Sequence, residues 1–260
     1  FAIDDPITHT GGTHAEPPSI VTVASFEAQL PGTIRGERAA WLLAGSGREA
    51  FEQVPSARWQ LDVNDVPNVR HGAFLLDETL FDNVAFGVSV SETLTMDPQQ
   101  RHLLELGYSA LHATGLVRST LMGADIAVFV GIMSTEFISA LEHSNAYSMT
   151  GTGHCFASGR LSYVLGLHGE GVTIDTACSS ALVAMHSARR CVSTSDCSHA
   201  LFAGVNMMFL PAPAHAYAAA GLTSAAARSA AALPPATRWP PPSTTCSTRW
   251  RCPPFCCSLA

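Results

Sequence analysis

Lysine is absent from this chain; all 14 basic residues among its 260 are arginine. A lysine Schiff base and a phosphate-loop lysine are thereby excluded. Charge of either sign is scarce, at 13% of residues, and the net charge of −7 gives no reason to expect nucleic acid or an anionic membrane as partner. Also missing are a basic-then-apolar leader and any uninterrupted apolar run of membrane length, so neither secretion nor a helical span is expected. The chain opens at Phe1 without an initiator methionine and reads as a piece of something longer. The last 36 residues lack more. From Ala225 onward there is no acidic residue, no valine and no isoleucine, while seven prolines, eight alanines, four arginines and four of the eight cysteines crowd in. Such a stretch cannot make a packed core.

What is present is apolar. A 47% apolar share indicates a globular chain with large buried surfaces, enough for one sizeable core or two modest ones. Residues 1–18, rich in proline and glycine and without an apolar period, read as a linker. Without a leader, the cysteines read as thiols before disulfides.

One stretch organises the rest, Gly171 to Ala188. Val172, Thr173, Ile174 and Thr176 are β-branched and suit a buried strand. Ala181, Leu182, Met185, Ala188 and Arg189 then recur at helical spacing, which predicts an apolar helix face. The join, Ala177-Cys178-Ser179-Ser180, puts a cysteine where a strand turns into a helix. Unpartnered N–H groups and aligned peptide dipoles make that end of a helix electropositive, which favours a thiolate. The same N–H groups suit an oxygen that turns negative when a thioester is attacked. A buried structural cysteine is the plainer reading, and the local pattern alone leaves both open.

Asp175-Thr-Ala-Cys-Ser-Ser180, followed by Ala-Leu-Val-Ala-Met-His186, resembles the active-site segment of β-ketoacyl synthases, above all the ketosynthase domains of type I polyketide synthases. Phe81 to Ser89 and Met96-Asp-Pro-Gln-Gln-Arg101 resemble the upstream blocks of that family. Ser158-Gly-Arg-Leu-Ser-Tyr163 resembles the stretch leading to the nucleophile, and Gly204-Val-Asn206 the strand end that follows it. Several blocks in the right order, from about Ile20 to Ser224, rarely match by chance. A thiolase or another cysteine acyltransferase would share the fold but not the Met96–Arg101 and Asp175–Ser180 blocks.

The resemblance implies an α/β chain with the thiolase-like α/β/α/β/α layered fold, mostly its first half, over residues 19–224. Its strands map to Ile20–Ala24, Asp125–Gly131, Gly171–Thr176 and Ala200–Val205. It implies Cys178 as nucleophile, with its backbone N–H in the oxyanion hole, and Val172, Thr173, Ile174, Asp175 and Thr176 as the strand that pairs across a homodimer. No cofactor is bound directly; substrates ride on the phosphopantetheine of an acyl carrier protein. A neighbouring acyltransferase domain of the same synthase is a further implied partner, and the location is intracellular, cytoplasmic or plastid. The two histidines that the family uses for decarboxylative condensation lie downstream, and none of the eleven histidines here matches either. A degenerate, non-catalytic partner that dimerises or binds carrier protein is the competing reading; a fatty acid synthase is the competing parent. Past Ala225 the resemblance stops, so residues 225–260 are expected to be an aberrant, frameshifted end; translating the other two frames tests this.

Other features have plainer explanations. Asp97-Pro98 is a strong helix start, with Leu103, Leu104, Leu106, Leu111 and Leu116 on the apolar side. Capping and a solvated face explain Asp97 and Glu105 better than a catalytic carboxylate pair. His71 reads as a structural loop histidine. His154 and Cys155 are adjacent, which suits no shared metal. Cys191, Cys197, His186 and His199 are spaced C-x5-C and H-x12-H and read as separate residues rather than a zinc set. A helix over Glu37–Phe51 should bury Trp41, Leu42 and Ala44. A short helix is expected over Glu136–His143; the resemblance implies another carrying Arg160 and Tyr163 near a subunit interface, and an Asn206 that fixes local backbone.

Overall fold

The computed structural model describes residues 21–62, 67–75 and 80–225. The expected linker 1–18 and all but the first residue of the tail lie outside these. In chain order, a hairpin of β1 (Gln29–Leu30) and β2 (Ile34–Arg35) leads into α1 (Gly36–Ser46). A second small pair, β3 (Glu52–Gln53) and β4 (His71–Gly72), precedes α2 (Val90–Thr95), α3 (Pro98–Ala113) and α4 (Arg118–Leu121). Then come β5 (Ile126–Ile132), α5 (Phe137–Ala140), α6 (Ser148–Thr152), α7 (Phe156–Leu165) and β6 (Gly171–Ile174). The 3-10 turn Ala177–Ser179, α8 (Ser180–Ser193), β7 (His199–Val205) and α9 (Pro211–Ala219) complete the described chain.

The core is a parallel sheet in the order β6-β5-β7. Ile-Ala-Val-Phe-Val-Gly-Ile of β5 is buried at every position, as an unbroken apolar run covered on both faces should be. Because side chains alternate along a strand, Ile126, Val128, Val130 and Ile132 join Leu103 and Leu104 of α3 and Leu161 and Leu165 of α7. Ala127 and Phe129 face the other way, onto Ala184 and Ala188 of α8. The result is three layers, with α3 and α7 on one side of the sheet and α8 on the other. Burying a leucine such as Leu104 or Leu161 contributes about 1.5–3 kcal/mol, so the α3–α7 side holds much of the stability.

Helix α3 starts as expected. Asp97 accepts from the Gln99 N–H at 2.8 Å, and Pro98 occupies the first helical position. Phe81–Ser89 forms packed loops, with Phe81 stacked on Phe86 at 5.4 Å, and Asn83 and Val88 closing the loop on each other.

Several expectations need correction. Val21–Ala24 form no strand; Ser25 just beyond donates to the Ala110 carbonyl at 2.8 Å, so the segment crosses the end of α3 rather than joining the sheet. The hairpin β1–β2 was not expected; Gly32 and Thr33, both at positive φ, make its turn. Helix α1 stops at Ser46, five residues before Phe51, because Gly47 adopts the left-handed conformation that closes helices. Its apolar side is not buried: Trp41 is 67% exposed. The expected helix over Glu136–His143 shortens to α5. Strand β6 ends at Ile174, so Asp175 and Thr176 belong to the turn rather than to the strand.

Helix α8 presents Ser180, Ala184, Ala188 and Cys191 to the sheet, while Leu182 and Met185 are exposed. The reason is close approach. A Cβ on Gly204 of β7 would stand 2.5 Å from the Ala181 Cβ, so the contact face of α8 has room only for small side chains. Cys191 and Cys197, expected as separate thiols, pair as a disulfide joining the end of α8 to the start of β7.

Candidate active site

Parallel strands carry their sites at the carboxyl ends, where the chain leaves the sheet for the next helix. Here β6 leaves it through Asp175 to Ser180. The Cys178 thiol is free and exposed in the 3-10 turn, immediately before α8. Backbone and side chains of the turn bond to one another. The Ala177 N–H donates to Asp175 Oδ1 at 2.9 Å, and the Thr176 N–H donates to Ser180 Oγ at 2.9 Å. Ser180 Oγ donates onward to the Ala177 carbonyl at 2.6 Å, and Ser179 Oγ to the Thr176 carbonyl at 2.8 Å. None of these bonds uses the backbone N–H of Cys178. Ala177 sits at φ +56°, an uncommon value for a residue with a side chain.

The Met96–Arg101 block ties together the segments that leave β5 and β7. Gln99 is fully buried and uses its whole amide: Nε2 donates to Asp97 Oδ2 at 3.1 Å and to the Ser134 carbonyl at 3.0 Å, and Oε1 accepts from the Met207 N–H at 3.1 Å. Ser134 follows β5 and Met207 follows β7, so one side chain ties together the segments leaving two neighbouring strands. Glu136 adds a second tie, accepting from Ser134 Oγ and from the Leu210 N–H. Gln100 Oε1 accepts from Arg160 Nε at 2.6 Å, and Arg160 also pairs with Glu92 and donates to the Thr150 carbonyl. The Met96–Arg101 and Ser158–Tyr163 blocks, separate in sequence, are thus one buried polar assembly. The sequence reading missed Gln99, Gln100 and Arg160 as its members; their only signal was their place inside the two motifs.

Burial raises the Asp97 carboxyl to about 6, an effect tempered by its bonds to Gln99. Burial likewise raises Glu105 and lowers the Arg101 guanidinium. Asp97 and Glu105 are eight positions apart on one helix, roughly 12 Å along its axis, and do not meet as an acid–base pair. Glu105 lies instead 3.9 Å from His102.

The remaining candidates are dispersed. His71 lies exposed on β4, and His154 Nε2 lies 2.6 Å from the Ser134 carbonyl while Cys155 beside it is exposed. His186 and His199 are exposed, and no three His, Cys, Asp or Glu side chains are gathered to hold a metal among the described residues. Asn206 is exposed; the backbone fixing expected of it falls to Gln99 through the neighbouring Met207. Arg160 is buried and Tyr163, one turn on, is 89% exposed. Of the strand residues, Val172 and Ile174 pack on the α8 side of the sheet, and Thr173 Oγ1 meets Ser158 Oγ at 2.9 Å. The edge of β6 away from β5 has no partner strand among the described residues. No described helix is long and apolar enough to cross a membrane.

Comparison with known proteins agrees with this arrangement. The model of the β-ketoacyl synthase N-terminal domain matches residues 19–236, extending past Ser224. The chain is 37% identical over 213 residues to the spectinabilin polyketide synthase system protein NorC of Streptomyces orinoci, covering 76% of this chain and 9% of that protein. It is 38% identical over 201 residues to a type I polyketide synthase of phenolphthiocerol synthesis from Mycobacterium bovis, covering 74% and 10%. Among solved structures it is similar to the ketosynthase from module 6 of the bacillaene synthase of Bacillus subtilis, with TM-score 0.66, 32% identity, and 75% and 33% of the two chains covered. The oxazolomycin ketosynthase domain of Streptomyces albus gives TM-score 0.67 and 27% identity, over 76% and 37%. The chain therefore spans a small part of the curated relatives and about a third of the solved ketosynthase domains. Its α/β layers are those of the thiolase-like fold, and the chain belongs to the β-ketoacyl synthase family, in which it matches the N-terminal domain.

Proposed function

We propose that this chain is the nucleophile-bearing part of a polyketide synthase ketosynthase, and that Cys178 is the residue acylated. The thiolate attacks the carbonyl of an acyl thioester carried on the phosphopantetheine of an acyl carrier protein. A new sulfur–carbon bond forms, the carrier's carbon–sulfur bond breaks, and the carrier thiol leaves with a proton. The Cys178 backbone N–H is proposed to face the oxygen that becomes negative, since the bonds of its own turn leave that group uncommitted. The full reaction of the domain is extension by decarboxylative condensation with a malonyl group on the carrier protein. That step needs the two histidines for which this chain has no counterpart, so the chain alone is expected to accept an acyl group weakly and not to condense. The observation that carries the reading is a free, exposed cysteine in the turn that feeds a helix at the carboxyl edge of a parallel sheet.

The homodimer belongs to the same proposal. The open edge of β6 suits strand pairing with a second copy through Val172, Thr173 and Ile174, which would remove an unpaired edge. A carrier protein and a neighbouring acyltransferase domain are the further partners, inside the cell, and no directly bound cofactor is called for.

The test is to incubate the full chain with an acyl-thioester analogue and map the adduct by mass spectrometry. Cys178 is expected to be modified in preference to Cys155, the other free cysteine among the described residues, and Cys178→Ala is expected to abolish that adduct. Equal labelling of both would favour the non-catalytic partner, for which the exposed Leu182 and Met185 of α8 offer apolar side chains.

A further inference from the structure

The turn that bears Cys178 holds a residue in a conformation it would not choose. An alanine in the left-handed region is strained, so Ala177 stays there only because its surroundings hold it. The holding groups are two side chains of the same motif. Asp175 Oδ1 accepts from the Ala177 N–H, and Ser180 Oγ donates a hydrogen bond to the Ala177 carbonyl. Ser180 Oγ also takes the Thr176 N–H. Both polar groups of the strained residue, and the N–H before it, are therefore bound by Asp175 and Ser180.

Ser180 is itself buried and closely packed. It is 5% exposed, and a Cβ on Gly131 of β5 would lie 2.5 Å from its carbonyl carbon. The first residue of α8 is thus pressed against the sheet backbone, with no flexible side chain between them to give way.

We infer that Asp175 and Ser180 are positioning residues for Cys178: they clamp Ala177 in its left-handed conformation, and Gly131 seats the clamp on the sheet, which together set where the thiol stands. The inference rests on reading Cys178 as the nucleophile, but its physical content is separate from that reading. The turn is exposed at Cys178 and anchored two residues later, so the thiol is presented by local bonds rather than by packing around the sulfur. Relaxing Ala177 to a right-handed conformation would swing the following residue off its present direction and off the start of α8.

The decisive comparison is Asp175→Asn against Asp175→Ala. Both remove the same negative charge, and Asp175 is exposed, so neither threatens the core. Only asparagine keeps an oxygen to accept the Ala177 N–H. The readout is the rate of Cys178 alkylation by iodoacetamide across a pH series, measured on the full chain by peptide mass spectrometry, alongside the melting temperature. Asp175→Ala is expected to react about fivefold or more slowly than Asp175→Asn across the pH series, and Ser180→Ala more slowly than wild type. Ser180→Thr, which keeps the hydroxyl, should recover part of the loss. Identical alkylation profiles for the two Asp175 variants would overturn the inference, whatever their melting temperatures. The acyl-thioester map of the wild-type chain keeps the two ideas apart. An unacylated Cys178 whose alkylation still separates Asp175→Ala from Asp175→Asn removes the nucleophile and leaves the clamp. An acylated Cys178 indifferent to both substitutions does the reverse.

Discussion

Two helical segments of this molecule begin with an aspartate that reaches two residues forward. Asp97 takes the Gln99 N–H at 2.8 Å at the start of α3, and Asp175 takes the Ala177 N–H at 2.9 Å in the turn before α8. The local bond is the same and the environments are opposite. Asp97 is 1% exposed, and around it Gln99, Gln100, Arg101 and Arg160 bind one another and the backbone of distant segments. Asp175 is exposed, as are Thr176, Ala177 and Cys178 after it. The first start is held by what packs around it; the second, with its exposed cysteine, is held by its own side chains. Burial fixes one helix start and local bonds fix the other.

The largest expected effect lies at the buried start. A Cβ on Gly151 would stand 2.1 Å from the Thr95 carbonyl oxygen, and Gly151 itself takes the Asp97 N–H. Gly151→Ala should cost about 4 kcal/mol or more and abolish a single cooperative transition in a urea melt. Next is Gln99→Ala, which strands the Met207 N–H and one Asp97 oxygen away from water and leaves the Ser134 carbonyl to His154 alone; about 3 kcal/mol should be lost by the same measurement.

A pH series then reads Asp97 directly. Burial raises its carboxyl from 3.8 to about 6. Below the lower value both folded and unfolded chains hold the proton, and no penalty exists. Between the two values the unfolded chain releases a proton that the folded chain keeps, so stability falls as pH rises through the window. Above about 6 the penalty is complete, on the order of 2–3 kcal/mol. Asp97→Asn should remove this slope; an unchanged slope in the variant would assign it to other groups. The smallest effect belongs to the exposed start, where Asp175→Ala should cost only about 0.5–1 kcal/mol of stability. If it costs as much as Gln99→Ala, the contrast between the two starts fails.

Much of this was legible in the chain. Asp97-Pro98 announced α3 because its capping chemistry is complete within a few residues. The seven apolar residues of β5 announced a strand covered on both faces, and the change of period at Cys178 placed the turn between β6 and α8. The errors share a cause. Trp41 and Leu42 read as core because they are apolar, yet α1 turns them outward. Leu182 and Met185 read as the buried face of α8, but Gly204 brings the helix so near the sheet that the buried face is made of the small residues Ser180, Ala184, Ala188 and Cys191. Cys191 and Cys197 read as separate because nothing local brings the end of α8 back to the start of β7.

The sequence by itself determined the strand β5, the capped start of α3 and the cysteine at the join before α8, each from residues within a few positions of one another, and, from several blocks in order along the chain, membership of the β-ketoacyl synthase family. The tertiary structure alone decided which helix face is buried, that Gln99 and Arg160 weld distant motifs together, and that Ser180 rests on Gly131. Those outcomes depend on the distance between backbones far apart in the chain, a quantity set by how whole layers pack.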